Sequence, residues 1–278
     1  MMYENKSARH IAATVLLILV SVGQLIPLIW LLDFSLAKSG DLFGANMFIL
    51  PNPPQWNNYV RAWVDGHIPQ YFVNSLIVNA VSIGLVAFFS VTMAYAFKRM
   101  HWHLRGALLA LVTIGIMVPI HATLLPNFII FNATKIADTY LGLIIPYTAF
   151  GLPMGTFIMT GFMDTVPLSL EESAILDGCN MWQLLFRIVF PIVRPAIVTV
   201  VIMTYISTWN EFIMAATFLN NDKLRTLPYA VYNFAGQYSA DYAIQFAVMM
   251  LVALPSLLVY AFLSDKITAG ATEGALKG

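Results

Sequence analysis

Residues 71–97 read YFVNSLIVNAVSIGLVAFFSVTMAYAF, a run without a single Asp, Glu, Lys or Arg. A helix that crosses a bilayer needs about 20 predominantly apolar residues. The apolar residues are continuous rather than alternating, so a helix is expected and not a strand. A helix also satisfies its own backbone hydrogen bonds where no water is available.

Outward from this run, five more stretches meet the same criterion: 11–33, 106–130, 139–163, 196–217 and 242–264. Only Glu211 interrupts the fifth of the six spans. Internal prolines at 119, 146, 153 and 255 do not veto helices, because neighbouring helices can re-satisfy the freed carbonyls. Pro126 is expected to end the third span early. The chain as a whole is 59% hydrophobic and 10% charged, with a mean hydropathy of +0.77. Soluble domains carry about 25% charge. A surface this apolar calls for lipid as its solvent, and an all-α membrane protein of six spans is expected.

A formal net charge of zero argues against nucleic acid as a partner. The single cysteine, Cys179, rules out an internal disulfide. Lys6 and Arg9 precede the first apolar run as they would in a signal peptide. The run is longer than a signal core of about 7–15 residues, and no A-x-A site follows, so an uncleaved first helix is expected.

Six spans put both termini on one side. On that side lie Lys6, Arg9, Lys98, Arg99, Arg105, Arg187, Arg194, Lys266 and Lys277. The other side holds Lys38, Arg61, Lys135, Lys223 and Arg225. The excess places both termini in the cytoplasm. The basic cluster 98–105 contains His101 and His103, which are read as part of a topology anchor and not as metal ligands.

Two loops are longer than a turn requires. The outer loop 34–70 carries Pro51, Pro53 and Pro54, then Trp56 and Tyr59. The inner loop 164–195 is the natural place for function. Ser169 and Glu172 have capping-box spacing, acidic residues suit the first turn, and Gly178 suits a left-handed terminus. A helix over 170–177 is predicted, with Leu170, Ala174 and Ile175 as a small apolar face. So short a helix is marginal in water, and docking into a groove of another protein would hold it. A second helix is expected from Met181 to Phe190, with Trp182, Leu185 and Val189 on one face. Pro191 and Pro195 are expected to break it. For this second helix, an interfacial role on the membrane and a docking role fit the residues equally.

This loop resembles the signature of binding-protein-dependent ABC importer permeases. That signature is a Glu-Ala-Ala motif, a following Gly and, after nine residues, Ile-x-Leu-Pro. The matching residues are Glu172, Ser173, Ala174, Gly178, Ile188 and Pro191, with Ser173 and Phe190 departing conservatively. Asn74-Ser75-Leu76, the run 94–99, Trp209-Asn210-Glu211-Phe212 and the tail from Thr268 look like the carbohydrate, maltose-permease-type branch.

The resemblance implies a type I ABC importer permease fold, with 1–278 as one transmembrane domain and a cytoplasmic coupling helix between spans four and five. It implies import of a sugar or oligosaccharide, with this chain forming half of the path, in a prokaryotic inner membrane. Glu172, Ser173, Ala174, Asp177, Gly178, Ile188 and Pro191 would couple to an ATPase dimer. A second, homologous permease subunit and an extracytoplasmic solute-binding protein would complete the assembly. The chain has no G-x-x-x-x-G-K-[ST]. No catalytic residue or cofactor is therefore expected on it, and ATP and Mg would belong to the ATPase. Glycerol phosphates or polyols fit the same branch.

Glu211 lies inside an apolar span, where a charge is expensive. It could line the solute path with Tyr205 and Asn210. Structural pairing near the outer surface is the preferred reading, since Glu211 sits late in its span. Asn74 and Asn79 are read as helix–helix hydrogen bonders. Met117, Met154, Met159 and Met203 are read as packing, and His121 as structural. An ion-coupled secondary transporter would need midplane ion sites and repeats. A membrane enzyme would need convergent acid–base groups. Neither pattern is present in the sequence, and both leave the loop unexplained.

Overall fold

The apolar runs become helices in a computed structural model that describes residues 4–42, 48–234 and 241–275, with side chains described from residue 11 to residue 262. No strand occurs among the described residues. In chain order the helices are α1 (Glu4–Ser35), α2 (Asn57–Asp65), α3 (Ile68–Lys98), α4 (Arg105–Ile114), α5 (Leu124–Ala133), α6 (Leu141–Met163), α7 (Leu168–Leu176), α8 (Met181–Leu184), α9 (Phe190–Ile192), α10 (Arg194–Trp209), α11 (Ile213–Phe218) and α12 (Tyr242–Ala275).

Four helices are long and apolar enough to cross a membrane unbroken: α1 from Ile11, α3, α6, and α12 as far as Phe262. Two further stretches are apolar enough only as bent pairs, Arg105–Met117 with Ile120–Ala133 and Met181–Ile192 with Arg194–Trp209, which makes up to six spans if each pair is one. Pro146 and Pro153 sit inside α6 and Pro255 inside α12, as expected.

Three expectations change. The third span is one bent unit and not a continuous helix. It turns by 97° around Val118 and Pro119. Pro119, not Pro126, is the breaking residue, because Val118 before it takes an extended conformation. Pro126 lies in the first turn of α5, where its missing N–H costs nothing. The fifth span does not run through Glu211. Helix α10 stops at Trp209, and α11 restarts at Ile213. Finally, the helix before α10 continues through Pro191. Its turns widen to a π-helix over Leu185–Val189, just ahead of the proline ring that would clash in a regular helix. The 76° bend comes at Val193, and Pro195 occupies the opening turn of α10.

The chain divides into two compact units, Met1–Pro69 with Ala230–Pro255, and Gln70–Tyr229 with Ser256–Gly278. In the first, Phe246 meets Trp30 and Phe34 edge to face with centroids 5.4 Å apart, and Trp30 and Phe34 pack in a tilted pair at 4.2 Å. Asp33, which ends the first apolar run, is buried, and its carboxylate accepts from the amides of Ile49 and Leu50 at 2.7 and 3.0 Å. Arg61 of α2 pairs with Asp241 at 3.0 Å.

In the second unit α3 and α6 approach closely. Gly151 and Gly155, four residues apart on α6, face Val86 and Ser90 of α3. A methyl group at either glycine would overlap those side chains. Small residues at this spacing let transmembrane helices pack backbone to backbone. Asn79 of α3 is buried and accepts a 2.5 Å hydrogen bond from Thr208 of α10. Asn74 donates to the carbonyls of Lys223 and Arg225 and accepts from the Tyr140 hydroxyl. Both asparagines therefore tie α3 to its neighbours. Of the four methionines read as packing, only Met159 is fully buried; Met154 and Met203 face a cleft, and Met117 is exposed. His121 is exposed.

Candidate coupling loop and cleft

The loop 164–195 begins at the end of α6. Helix α7 starts at Leu168 because Pro167, extended at ψ 131°, fixes its first turn. Ser169 is consequently inside the helix and makes no capping box with Glu172. Its carbonyl instead accepts from the Ser173 hydroxyl at 2.8 Å. The capping box forms one helix later, where Asn180 and Gln183 exchange bonds of 2.9 and 3.0 Å at the start of α8. The signal for it, Asn-x-x-Gln, is present in the sequence.

Helix α7 ends as the sequence suggests. Gly178 has φ +85°, the left-handed conformation that favours glycine. The Cys179 amide donates to the Ala174 carbonyl and the Gly178 amide to the Ile175 carbonyl, both at 3.0 Å. This double closure is a Schellman motif.

The faces of α7 differ from the expected ones. Glu171 and Ala174 point inward and are buried. Leu168, Leu170, Glu172, Ile175, Leu176 and Asp177 are exposed, Leu176 at 87%. Ala174 therefore does not share an apolar face with Leu170 and Ile175. It packs with Met163, Val166 and Leu184 beneath them.

Glu171 carries a partner that sequence reading missed. Its carboxylate accepts from Arg99 Nε at 2.7 Å, with side-chain exposures of 5% and 12% for the two residues. The other end of the guanidinium donates to the carbonyls of Met163 and Val166 at 3.1 and 2.6 Å. Arg99 thus binds the last carbonyl of α6 and one of the α6–α7 junction, and holds α7 from the end of α3. Next to it, Lys98 pairs with Asp164 at 2.7 Å. The sequence assigned Lys98 and Arg99 to the topology anchor and to the family-like run 94–99, and no spacing rule connects position 99 to position 171.

The second loop helix buries Leu184, Leu185 and Val189. Trp182 is not on that face. It is exposed and stacks on Phe186, which stacks on Phe190. Ile188 is half-buried against the same core, and Pro191 is exposed.

A cleft of about 340 Å³ lies between the bent third span, α6 and α10, lined among others by Tyr147, Met154, Met203, Ser207, Thr208 and Glu211. Glu211 fills the gap between α10 and α11. One carboxylate oxygen accepts from the Met214 amide at 2.8 Å, the other from the Tyr147 hydroxyl at 2.7 Å and the Ala215 amide at 3.3 Å. Its charge is balanced by donors at the start of α11, the arrangement expected of an anion at a helix N-terminus. Tyr205 and Asn210 do not line the cleft with it. Tyr205 packs against Trp209, and Asn210 donates to the Ile206 carbonyl and accepts from Ser256. Of the three residues grouped from sequence, only Glu211 lines this cleft.

A family model described as "Binding-protein-dependent transport system inner membrane component" matches residues 86–267. The chain is 31% identical to a sulfoquinovosyl glycerol transport system permease protein of Agrobacterium fabrum, over 99% of this chain and 95% of that one. It is 32% identical to a multiple sugar-binding transport system permease protein of Streptococcus mutans, over 94% and 95% of the two chains. Its fold superposes with a TM-score of 0.77 on a bacterial ABC transporter involved in the import of the acidic polysaccharide alginate. The identity there is 22%, with 92% of this chain and 95% of that one covered.

Proposed function

We propose a mechanism on the premise that the chain belongs to the family of binding-protein-dependent transport system inner membrane components. It is a multi-pass permease subunit of an importer, and its cargo is a sugar or oligosaccharide. The relatives that name sugars or a sugar-bearing glycerol, aligned over more than nine-tenths of this chain, support that cargo. An ion-coupled carrier is not favoured.

The ATPase is a separate dimer that holds ATP and Mg, and α7 docks into it. One observation carries this reading. Helix α7 is short and exposes Leu168, Leu170, Ile175 and Leu176 around Glu172, while its inner side is held by a buried ion pair. A two-turn helix with such an outward apolar patch calls for a protein groove. Ala174, Asp177 and Gly178 set its inner packing and its end; Ser173, Ile188 and Pro191 complete the set of residues that couple to the ATPase. Both termini and α7 then lie in the cytoplasm. A homologous second permease completes the path, and a solute-binding protein delivers sugar from the other side. Closure of the ATPase moves α7, and the bent third and fifth spans change access to the cleft.

The test is reconstitution. The chain expressed with its neighbouring permease, ATPase and binding protein should co-purify with the ATPase. In proteoliposomes it should take up one of maltose, raffinose or sulfoquinovosyl glycerol only with ATP and binding protein. Uptake by the permease alone without ATP overturns the reading.

A further inference from the structure

We propose that Arg99 is a positioning residue that locks α7, the end of α3 and the end of α6 into one rigid lever, so that docking force on α7 reaches two spans together. The inference rests on the coupling role proposed above for α7. Its basis is the sharing of one guanidinium among three elements. Arg99 follows the last residue of α3, its Nε holds Glu171 of α7 at 2.7 Å, and its Nη2 holds the carbonyl of Met163 at the end of α6 and that of Val166 in the junction after it. The Tyr95 side chain, one turn back on α3, meets the same Glu171 carboxylate. Beneath them Tyr95, Met163, Val166 and Ala174 form one buried cluster.

A planar fork fixes direction as well as distance, which a flexible ammonium does not. The pair is also almost fully withdrawn from water, so neither partner can be released without leaving a buried charge or buried carbonyls unsatisfied. The device therefore resists bending at the α6–α7 junction, residues 164–167, where a loop would otherwise absorb the motion. Glu172, one residue on, is exposed and left for the partner. Two adjacent carboxylates thus divide the work, the first holding α7 to its own chain and the second facing outward.

The experiment uses the assembled importer in proteoliposomes, with Arg99→Lys, Arg99→Ala and Glu171→Ala. ATP hydrolysis and uptake of the sugar that the wild type transports are measured together. Sugar moved per ATP should fall by about 5- to 150-fold, the range of site-to-site coupling. Arg99→Lys should fall with the alanine variants, because a lysine keeps the charge but not the fork. An unchanged ratio in the assembled variants overturns the proposal, as does full rescue by Arg99→Lys.

A second measurement applies if a variant fails to assemble. Spin labels at Met100→Cys and Ser173→Cys, in a Cys179→Ser background with Arg99 and Glu171 intact, report the distance from the end of α3 to α7. That distance should be the same with and without ATP. A shift on ATP binding overturns the lever. A wild-type complex that hydrolyses ATP yet moves no sugar counts against the proposed function, while the label distance still judges the lever.

Discussion

The Tyr147 hydroxyl donates a 2.7 Å hydrogen bond to Glu211 in the wall of the cleft, from the second turn of α6 to the gap between α10 and α11. The same carboxylate accepts from the Met214 and Ala215 amides. One side chain therefore closes a helix break and presents its charge to the cleft. Replacing Glu211 by Ala leaves three donors, the Tyr147 hydroxyl and the Met214 and Ala215 amides, without their acceptor, and a buried donor left unmatched costs about 1–3 kcal/mol. Tyr147→Phe removes only one of the three donors and leaves the other two bonds in place. The expected order of thermal stability of the detergent-solubilised complex is wild type, then Tyr147→Phe, then Glu211→Ala, measured by loss of monodisperse protein on heating. Equal stability of all three would show the bonds to be idle.

Asn79 and Thr208 form the corresponding link between α3 and α10. Interhelical hydrogen bonds in membranes average about 0.6 kcal/mol. Asn79→Leu should lower the melting temperature by only a degree or two, and Thr208→Val should not lower it further in that background. Additive losses from the two changes would show that the groups act on other partners.

Gly155 faces Ser90, and no space for a side chain exists there. Gly155→Leu should separate α6 from α3 and cut the yield of assembled protein by several fold, since overpacking a helix pair costs about 1–3 kcal/mol. Gly161 lies on the same helix with open space around it, so Gly161→Leu should leave the yield near that of the wild type. Quantitative membrane immunoblots of the two variants distinguish close approach from a general intolerance of bulk.

On α7, Leu176 is the most exposed of the apolar side chains around Glu172. Leu176→Asp should leave insertion intact and reduce ATPase co-purification at least tenfold, as loss of a docking anchor worth more than about 1.4 kcal/mol requires. Position 176 is also a better crosslinking site than the native thiol, because Cys179 is half-buried against the core. A Leu176→Cys, Cys179→Ser chain should crosslink to the ATPase where the native thiol does so weakly. Retention of the ATPase by Leu176→Asp would move the docking surface elsewhere.

Gly178→Val places a branched side chain at φ +85°. The left-handed conformation costs such a residue at least about 1–2 kcal/mol. The end of α7 should fray, and uptake should fall while the protein still inserts, as checked by paired uptake and immunoblot measurements.

What the sequence determined by itself is local or compositional. Charge-free runs give the six spans, because lipid leaves a backbone no alternative to hydrogen-bonding itself. Gly178 ends α7, because only glycine adopts that conformation cheaply. The loop signature identifies the family, because its spacing lies within one continuous stretch. The tertiary structure decided what depends on residues far apart in the chain. Residues 71–97 lie in one unbroken helix, but the equally apolar 106–130 bends at Pro119, and the run through Glu211 breaks. The ends of those helices are stabilised by partners such as Tyr147, which no periodicity reveals. Glu171 and Glu172 are identical neighbours in sequence. Arg99, seventy-two residues earlier, buries the first and leaves the second exposed. A guanidinium satisfies charge and carbonyls wherever the fold brings them, so its partners follow from packing and not from spacing.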